Sequence, residues 1–136
     1  MSPLTRARYT VLVVDDDPSV LATYRRLLGR AGYRTLIQDD PRSVLENGTA
    51  GAVDLLLIDY KMPGMDGLSL LARLRQKECN APCVLISAFL NDDVRQKAKT
   101  LGVERVLEKP VDVDQLRGVL ADLLPVTGGP TAASGV

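Results

Sequence analysis

Three consecutive aspartates follow a short apolar run near the start of the chain, in the segment "VLVVDDDPSV". Carboxylates beside a buried strand are costly, because burial removes their hydration and neighbouring like charges repel each other. Later in the chain, Asp59 ends the run "LLLID", Ser87 ends "VLIS" and Lys109 ends "RVLEK". Acids, a hydroxyl and an ammonium that each follow an apolar run favour chemistry on a charged, oxygen-rich group such as a phosphoryl group.

The acids Asp15, Asp16 and Asp59 offer only oxygen ligands, which hard cations prefer, so the sequence predicts a Mg²⁺ site. With the acids neutralised by the metal, Asp59 can attack a phosphorus centre and form an acyl phosphate. Lys109 can then take one phosphoryl oxygen, and Ser87 can donate a hydrogen bond to another. A local charge change of this kind can bias a domain between two packings.

The chain has no histidine and two cysteines, Cys79 and Cys83. The missing imidazole excludes a histidine general base, a Ser-His-Asp triad and a histidine phospho-carrier within the chain. The cysteines are interpreted as one loop thiol and one strand thiol in a reducing compartment. A phosphoryl donor must therefore be another molecule.

Hydrophobic patterning predicts how these residues are positioned. Apolar, β-branched runs alternate with segments of helical periodicity. The predicted strands are 9–14, 34–38, 53–59, 82–88 and 105–109, and the predicted helices are 18–31, 39–47, 68–77, 91–102 and 112–124. Strands that alternate with helices are parallel, so we expect an α/β fold with an open, doubly wound sheet. The chemically active residues then meet at its carboxyl edge.

Composition bounds the class of protein. The 136 residues predict one domain over 8–124, a flexible N-terminus over 1–7 and a flexible tail or linker start over 125–136. Basic and acidic residues number 17 each, so nothing favours nucleic acid or a membrane surface as a direct partner. No apolar run has the length of a membrane span and no signal peptide is visible, so the expected location is cytoplasmic.

Four motifs, "VLVVDDDP", "LLLIDYKMPGMDG", "VLISA" and "VLEKP", occur in this order. With them, residues 8–124 resemble the receiver domains of bacterial two-component response regulators, in the chemotaxis-regulator-like superfamily. The resemblance implies a flavodoxin-like, five-stranded parallel sheet of order 2-1-3-4-5 with five helices. It also implies a phosphoprotein of a phosphorelay signal transduction system, which catalyses its own phosphorylation and dephosphorylation and is not a conventional enzyme.

The resemblance assigns a role to each active position. Lys61 gives its backbone carbonyl to the metal, and the peptide before Pro110 is cis. The other assigned residues are the metal-binding pair Asp15 and Asp16, the phosphoacceptor and metal ligand Asp59, the switch hydroxyl Ser87 and the phosphate contact Lys109. Asp17 lies outside the metal set, and we interpret it as the cap of the first helix.

One position departs from the family pattern. Receiver domains usually have an aromatic residue three positions before the lysine of the fifth strand, where this chain has Val106. The resemblance therefore predicts that output is carried instead by backbone shifts in the fourth helix and fifth strand. The face formed by helix 4, strand 5 and helix 5 is the expected surface for partners or a phosphorylation-dependent homodimer.

The implied partners are a sensor histidine kinase or a histidine phosphotransfer protein, and a downstream protein or output domain. The chain either signals alone or is the receiver of a larger regulator, DNA-binding or hybrid kinase. Two other classes share the architecture. A metal-dependent phosphohydrolase needs a second aspartate two residues after Asp59, where this chain has Lys61. A flavodoxin-like binding module needs a loop rich in Ser, Thr and Gly after the first strand, where this chain has acids.

Overall fold

The computed structural model describes residues 9–125, in which strands and helices alternate. The strands are β1 (Thr10–Val14), β2 (Arg34–Gln38), β3 (Leu55–Asp59), β4 (Cys83–Ser87) and β5 (Arg105–Glu108). The helices are α1 (Pro18–Arg30), α2 (Pro41–Asn47), α3 (Gly67–Gln76), α4 (Asp92–Thr100) and α5 (Val113–Leu123). The predicted flexible segment 1–7, and the tail beyond residue 125, lie outside the described residues.

The strands form one parallel sheet in the order β2-β1-β3-β4-β5, which confirms the predicted fold. The chain passes from β1 outward to β2, and then crosses to β3 on the other side of β1. The direction of winding therefore reverses between β1 and β3. In sheets of this kind, the crevice outside the carboxyl ends of those two strands is the usual ligand site.

Both faces of the sheet are covered, which explains why the central strands have uninterrupted apolar runs. Successive side chains of a strand point to opposite faces. Val11 and Val13 therefore pack in one core cluster with residues of α1 and α5, while Leu12 and Val14 pack in the other with residues of α2 and α3. A third cluster joins β4 to α4 through Leu85, Val94 and Ala98. The paired cores hold the strand ends in fixed positions.

Aspartate and asparagine caps start the helices of the described chain. Asp17 caps α1 as predicted, because its Oδ1 accepts a hydrogen bond of 2.9 Å from the main-chain N–H of Ser19. Asp40 caps α2 in the same way, again directly before a proline. The Asp-Pro pair is favourable at a helix start, since the carboxylate satisfies a free N–H and proline has none to satisfy.

The start of α3 lies unusually close to the end of β3. The main-chain N–H of Gly67 donates a 2.7 Å hydrogen bond to the carbonyl of Tyr60. A Cβ atom at position 67 would lie 2.9 Å from Ile58 Cγ2 and would also collide with the carbonyl oxygen of Asp59. Only glycine allows this approach, so Gly67 fixes the loop after β3 against the strand end.

Candidate functional site

Side chains from four strand ends meet at the carboxyl edge of the sheet. Asp15 directly follows β1, Asp59 is the last residue of β3, Ser87 is the last residue of β4, and Lys109 directly follows β5. The buried polar or charged residues among those described are Asp15, Asp59 and Ser87, each no more than 5% exposed. The core of this domain is thus apolar except at the edge where sequence patterning predicted chemistry.

Lys109 connects the acidic residues. Its Nζ lies 2.9 Å from Asp59 Oδ1 and 3.9 Å from Asp15 Oδ2. Main-chain geometry helps to set its position, because the N–H of Lys109 donates a 2.9 Å hydrogen bond to the carbonyl of Ser87. The peptide between Lys109 and Pro110 is cis, as the family resemblance implies. The lysine is therefore held where it can meet an anion at Asp59.

Asp15, Asp16 and Asp59 form the acidic cluster. Each offers one carboxylate oxygen that lies within 4.8 Å of the others, a separation that one ion can bridge. Asp16 is exposed, whereas the other two side chains are buried. Three convergent carboxylate oxygens fit a hard divalent cation such as Mg²⁺, which takes few protein ligands and keeps several waters. The residues present therefore fit the predicted metal.

The electrostatics of the cluster are unfavourable without a cation. Burial raises the pKa of Asp15, and the negative charge of Asp59 raises it further, although the N–H of Asp17 lowers it. Burial also raises the pKa of Asp59 by more than the hydrogen bond and charge of Lys109 lower it. Lys109 alone does not compensate for the buried carboxylates, and a divalent ion supplies the missing positive charge.

The same charges act on their neighbours. Burial by itself lowers the pKa of Lys109, but the hydrogen bond to Asp59 and the nearby acids raise it overall, so the amine stays protonated. Burial and the charges of Asp15 and Asp59 raise the pKa of Tyr24 to about 12. Tyr24 lies on α1, outside the set of residues predicted from the sequence, because a tyrosine on an apolar helix stripe reads as core.

Ser87 is at the predicted strand end, and its hydroxyl bonds to its own loop. The hydroxyl donates to the carbonyl of Phe89 at 2.9 Å and accepts from the N–H of Phe89 at 3.1 Å. Patterning places a hydroxyl at the end of a strand but cannot indicate which partner it bonds. Asp66, whose Oδ1 accepts from the N–H of Ser69 at 2.8 Å and so caps α3, was also missed, although Asp-Gly before an apolar run is a usable signal.

Lys61 lies in the loop after β3 with its side chain exposed, and its Nζ is 5.9 Å from the centroid of the Phe89 ring. The two cysteines lie away from this edge. Cys79 is in the loop before β4, where its thiol donates to the carbonyl of Ala50 at 3.3 Å, and Cys83 begins β4. Both are buried and free, as the interpretation of one loop thiol and one strand thiol requires.

A parallel sheet of this order, with an acidic cluster, a lysine and a hydroxyl at its switch point, defines a doubly wound receiver-type domain. The chain belongs to the family of response regulator receiver domains, whose model matches residues 11–121. The predicted recognition and the predicted function as a receiver of a two-component response regulator are thereby confirmed.

Known proteins agree with this membership. The chain is 30% identical over 116 residues to sporulation initiation phosphotransferase F of Bacillus subtilis, covering 85% of this chain and 94% of that protein. It is 36% identical over 108 residues to the DNA-binding transcriptional regulator NtrC of Escherichia coli, covering 79% of this chain and 23% of that protein. The structure of chemotaxis protein CheY4 of Vibrio cholerae superposes with a TM-score of 0.79, at 25% identity over 85% of this chain and 98% of that one.

The chain thus spans nearly all of one curated relative and less than a quarter of the other. Among residues 9–125, no helix has the length and apolar character needed to cross a membrane.

Proposed function

We propose that Asp59 accepts a phosphoryl group from a histidine of a partner protein in a Mg²⁺-dependent reaction. The observation that supports this most directly is the buried Asp59 carboxylate, with Lys109 at 2.9 Å and two further carboxylates within reach of the same ion. In the reaction, an Asp59 oxygen attacks phosphorus while the P–N bond of the donor breaks, and the electron pair of that bond stays on the imidazole.

Each residue at the edge contributes one part of the reaction. Asp15, Asp16, Asp59 and the backbone carbonyl of Lys61 hold Mg²⁺, which when bound offsets the charge of the carboxylates and of the phosphoryl oxygens. Lys109 keeps the acceptor oriented through its present hydrogen bond, and its ammonium then pairs with a phosphoryl oxygen. Ser87 donates its hydroxyl hydrogen to another.

The partners follow from this chemistry. The donor is a sensor histidine kinase or a histidine phosphotransfer protein, since the chain has no histidine of its own. Output passes through the face formed by α4, β5 and α5 to a downstream protein, an output domain or a second copy of the chain. One relative is a phosphotransferase of similar length and another a much longer DNA-binding regulator, so both a stand-alone domain and part of a larger regulator remain open.

The domain acts in the cytoplasm as one unit over 8–124, between flexible segments 1–7 and 125–136, and it catalyses only its own phosphorylation and dephosphorylation. A turnover phosphohydrolase is disfavoured, because Lys61 stands where such an enzyme needs an acid two residues after its nucleophile. The long, exposed lysine side chain offers no carboxyl group for that step.

Labelling with acetyl phosphate tests the proposal. The wild-type protein should gain one phosphoryl group in the presence of Mg²⁺, measured by intact mass, and should gain none with a chelator. Asp59→Asn should abolish labelling. Asp54→Asn is the matched control, since Asp54 lies just before the amino end of β3, is exposed, and accepts a hydrogen bond from the N–H of Thr10. Labelling that persists in Asp59→Asn, or that disappears in Asp54→Asn, contradicts the assignment.

A further inference from the structure

The hydroxyl of Ser87 has two bonds to one neighbouring residue. It donates to the Phe89 carbonyl at 2.9 Å and accepts from the Phe89 N–H at 3.1 Å, while Ser87 itself is 2% exposed. These bonds close a small ring across Ala88 and tie the beginning of the β4–α4 loop to the end of β4. We call this pair of bonds the Ser87 latch.

A serine hydroxyl has one hydrogen to donate. If Ser87 donates to a phosphoryl oxygen on Asp59, as the proposed function requires, it must release the Phe89 carbonyl. Turning the oxygen away also takes the acceptor from the Phe89 N–H. The two contacts therefore break together, and the main chain at Phe89 loses both bonds to the strand end.

The loop that the latch holds has little else to restrain it. Ala88 and Phe89 are exposed, and the Phe89 side chain is the most exposed large hydrophobic side chain of the described residues, at 70%. Its ring faces the Lys61 ammonium at 5.9 Å, a cation–π distance that is worth little at a solvated position. Segments with few buried contacts open at low cost.

Strand β5 offers no ring that could move in its place. Val106 is half-buried and packs against the cluster that contains Leu85 and Val94. A valine has one torsion angle and no aromatic face, so it cannot swing between an inner and an outer position as a ring can.

We propose that the Ser87 latch is the moving part of this domain, and that phosphorylation opens it. The inference rests on the proposed function. Transfer of the Ser87 hydrogen bond to the phosphoryl group frees the main chain of Phe89, and the Phe89 ring then leaves Lys61. The ring at position 89 thereby supplies the mobile aromatic group that position 106 lacks, and it changes the surface beside the phosphorylated edge.

The composition of the chain allows a direct test in solution. Phe89 is its only phenylalanine, so a sample labelled with ¹⁵N-phenylalanine gives one amide signal, from the amide that donates to Ser87. With Mg²⁺ and beryllofluoride as the phosphoryl mimic, hydrogen exchange at this amide should accelerate about tenfold, the effect of losing one hydrogen bond. A ¹⁹F spectrum of the same sample reports independently whether beryllofluoride is bound.

Variants separate the latch from other effects of the ligand. In Ser87→Ala the amide should exchange fast from the start and should change little when beryllofluoride binds. Thr100→Ala is the matched control, because its hydroxyl also bonds a main-chain carbonyl, that of Gln96 at 3.0 Å, but lies on α4. This variant should behave like the wild type.

The ring gives a second readout. Lys61→Met removes the cation but keeps a long side chain, so the free-state ring signals of Phe89 should shift toward those of the beryllofluoride-bound wild type. Bound beryllofluoride with unchanged exchange at Phe89, or an equal acceleration in Ser87→Ala, overturns the latch and leaves the proposed function intact. Absence of a bound ¹⁹F signal in the wild type overturns the proposed function and the latch together.

Discussion

Aspartates stand at both ends of β3, and their environments are opposite. Asp54, just before the strand, is exposed and accepts a 2.8 Å hydrogen bond from the N–H of Thr10. Asp59, at the carboxyl end, is 5% exposed, and burial raises its pKa in spite of Lys109. The first carboxylate satisfies a main-chain donor at the start of the sheet. The second is kept in a position that destabilises its charged form.

Other polar groups of the amino edge follow the pattern of Asp54. The Arg75 guanidinium donates to the carbonyls of Cys79 and Ala81 at 2.9 and 2.7 Å, and the Cys79 thiol donates to Ala50. These bonds satisfy main-chain carbonyls around the turn that enters β4, so this edge contributes to stability. The carboxyl edge instead concentrates uncompensated charge, which is typical of a binding site that exchanges stability for function.

Mg²⁺ should erase much of this difference between the edges, and we expect it to have the largest effect on stability. A ligand that binds only the folded state at 100 times its dissociation constant raises the free energy of unfolding by about 2.7 kcal/mol. Denaturant unfolding with Mg²⁺ and with a chelator measures this gain. Asp16→Asn should reduce the gain sharply, whereas Asp54→Asn should preserve it. An equal gain in both variants contradicts the metal site.

A methyl group at position 67 should break the carboxyl edge from inside. The added Cβ of Gly67→Ala meets Ile58 Cγ2 at 2.9 Å and the Asp59 carbonyl, so backbone must shift at the end of β3. We expect a loss of about 2 kcal/mol in the free energy of unfolding, typical of overpacking, together with slower labelling of Asp59.

Gly118→Ala is the control for this substitution. Gly118 lies within α5, where an added Cβ meets nothing within 4 Å. Alanine is the better helix former, so this variant should gain about 0.5 to 1 kcal/mol. A loss in both variants, measured by the same denaturant titration, argues against the close approach at Gly67.

Local patterns were sufficient to predict most of this fold. Each predicted strand and helix is present, with ends that differ by at most two residues, because apolar periodicity and Asp-Pro or Gly ends are properties of short segments. The parallel order then brings the strand ends to one edge. The one notable boundary correction is β5, which ends at Glu108 and leaves Lys109 in the connection to α5.

Features that depend on packing between distant segments were not predictable in this way. The short 3₁₀ helix Thr49–Ala52 has no apolar periodicity of its own and follows Gly48, which adopts a positive φ of 65°. The role of Gly67 depends on how closely α3 approaches β3, and the bonds of Ser87 depend on a torsion angle. Sequence indicates which groups reach the edge, and three-dimensional packing decides what each group contacts there.

Removing one buried charge without the metal should sharpen the comparison, with an effect on the order of 1 kcal/mol, the typical size of a single substitution. Asp15→Asn keeps an oxygen for the N–H of Asp17, which Asp15 Oδ1 accepts at 2.9 Å, and relieves the repulsion from Asp59. We therefore expect this variant to unfold at higher denaturant concentration than the wild type at pH 7 in chelator, and to lose the gain from Mg²⁺.

The pH dependence gives the sign of this effect a second check. The pKa of Asp15 is raised in the fold, mainly by burial, so the folded state binds its proton more tightly than the unfolded state. The stability contributed by this proton is present at acid pH and is lost as the pH rises through the folded pKa. The advantage of Asp15→Asn should consequently be largest near pH 7 and shrink as the pH falls toward the ordinary aspartate range. Asp122→Asn, which removes an exposed partner of Arg105 at 3.6 Å, should change stability by less than about 0.5 kcal/mol. An advantage of Asp15→Asn that grows on acidification contradicts the picture of an uncompensated buried charge.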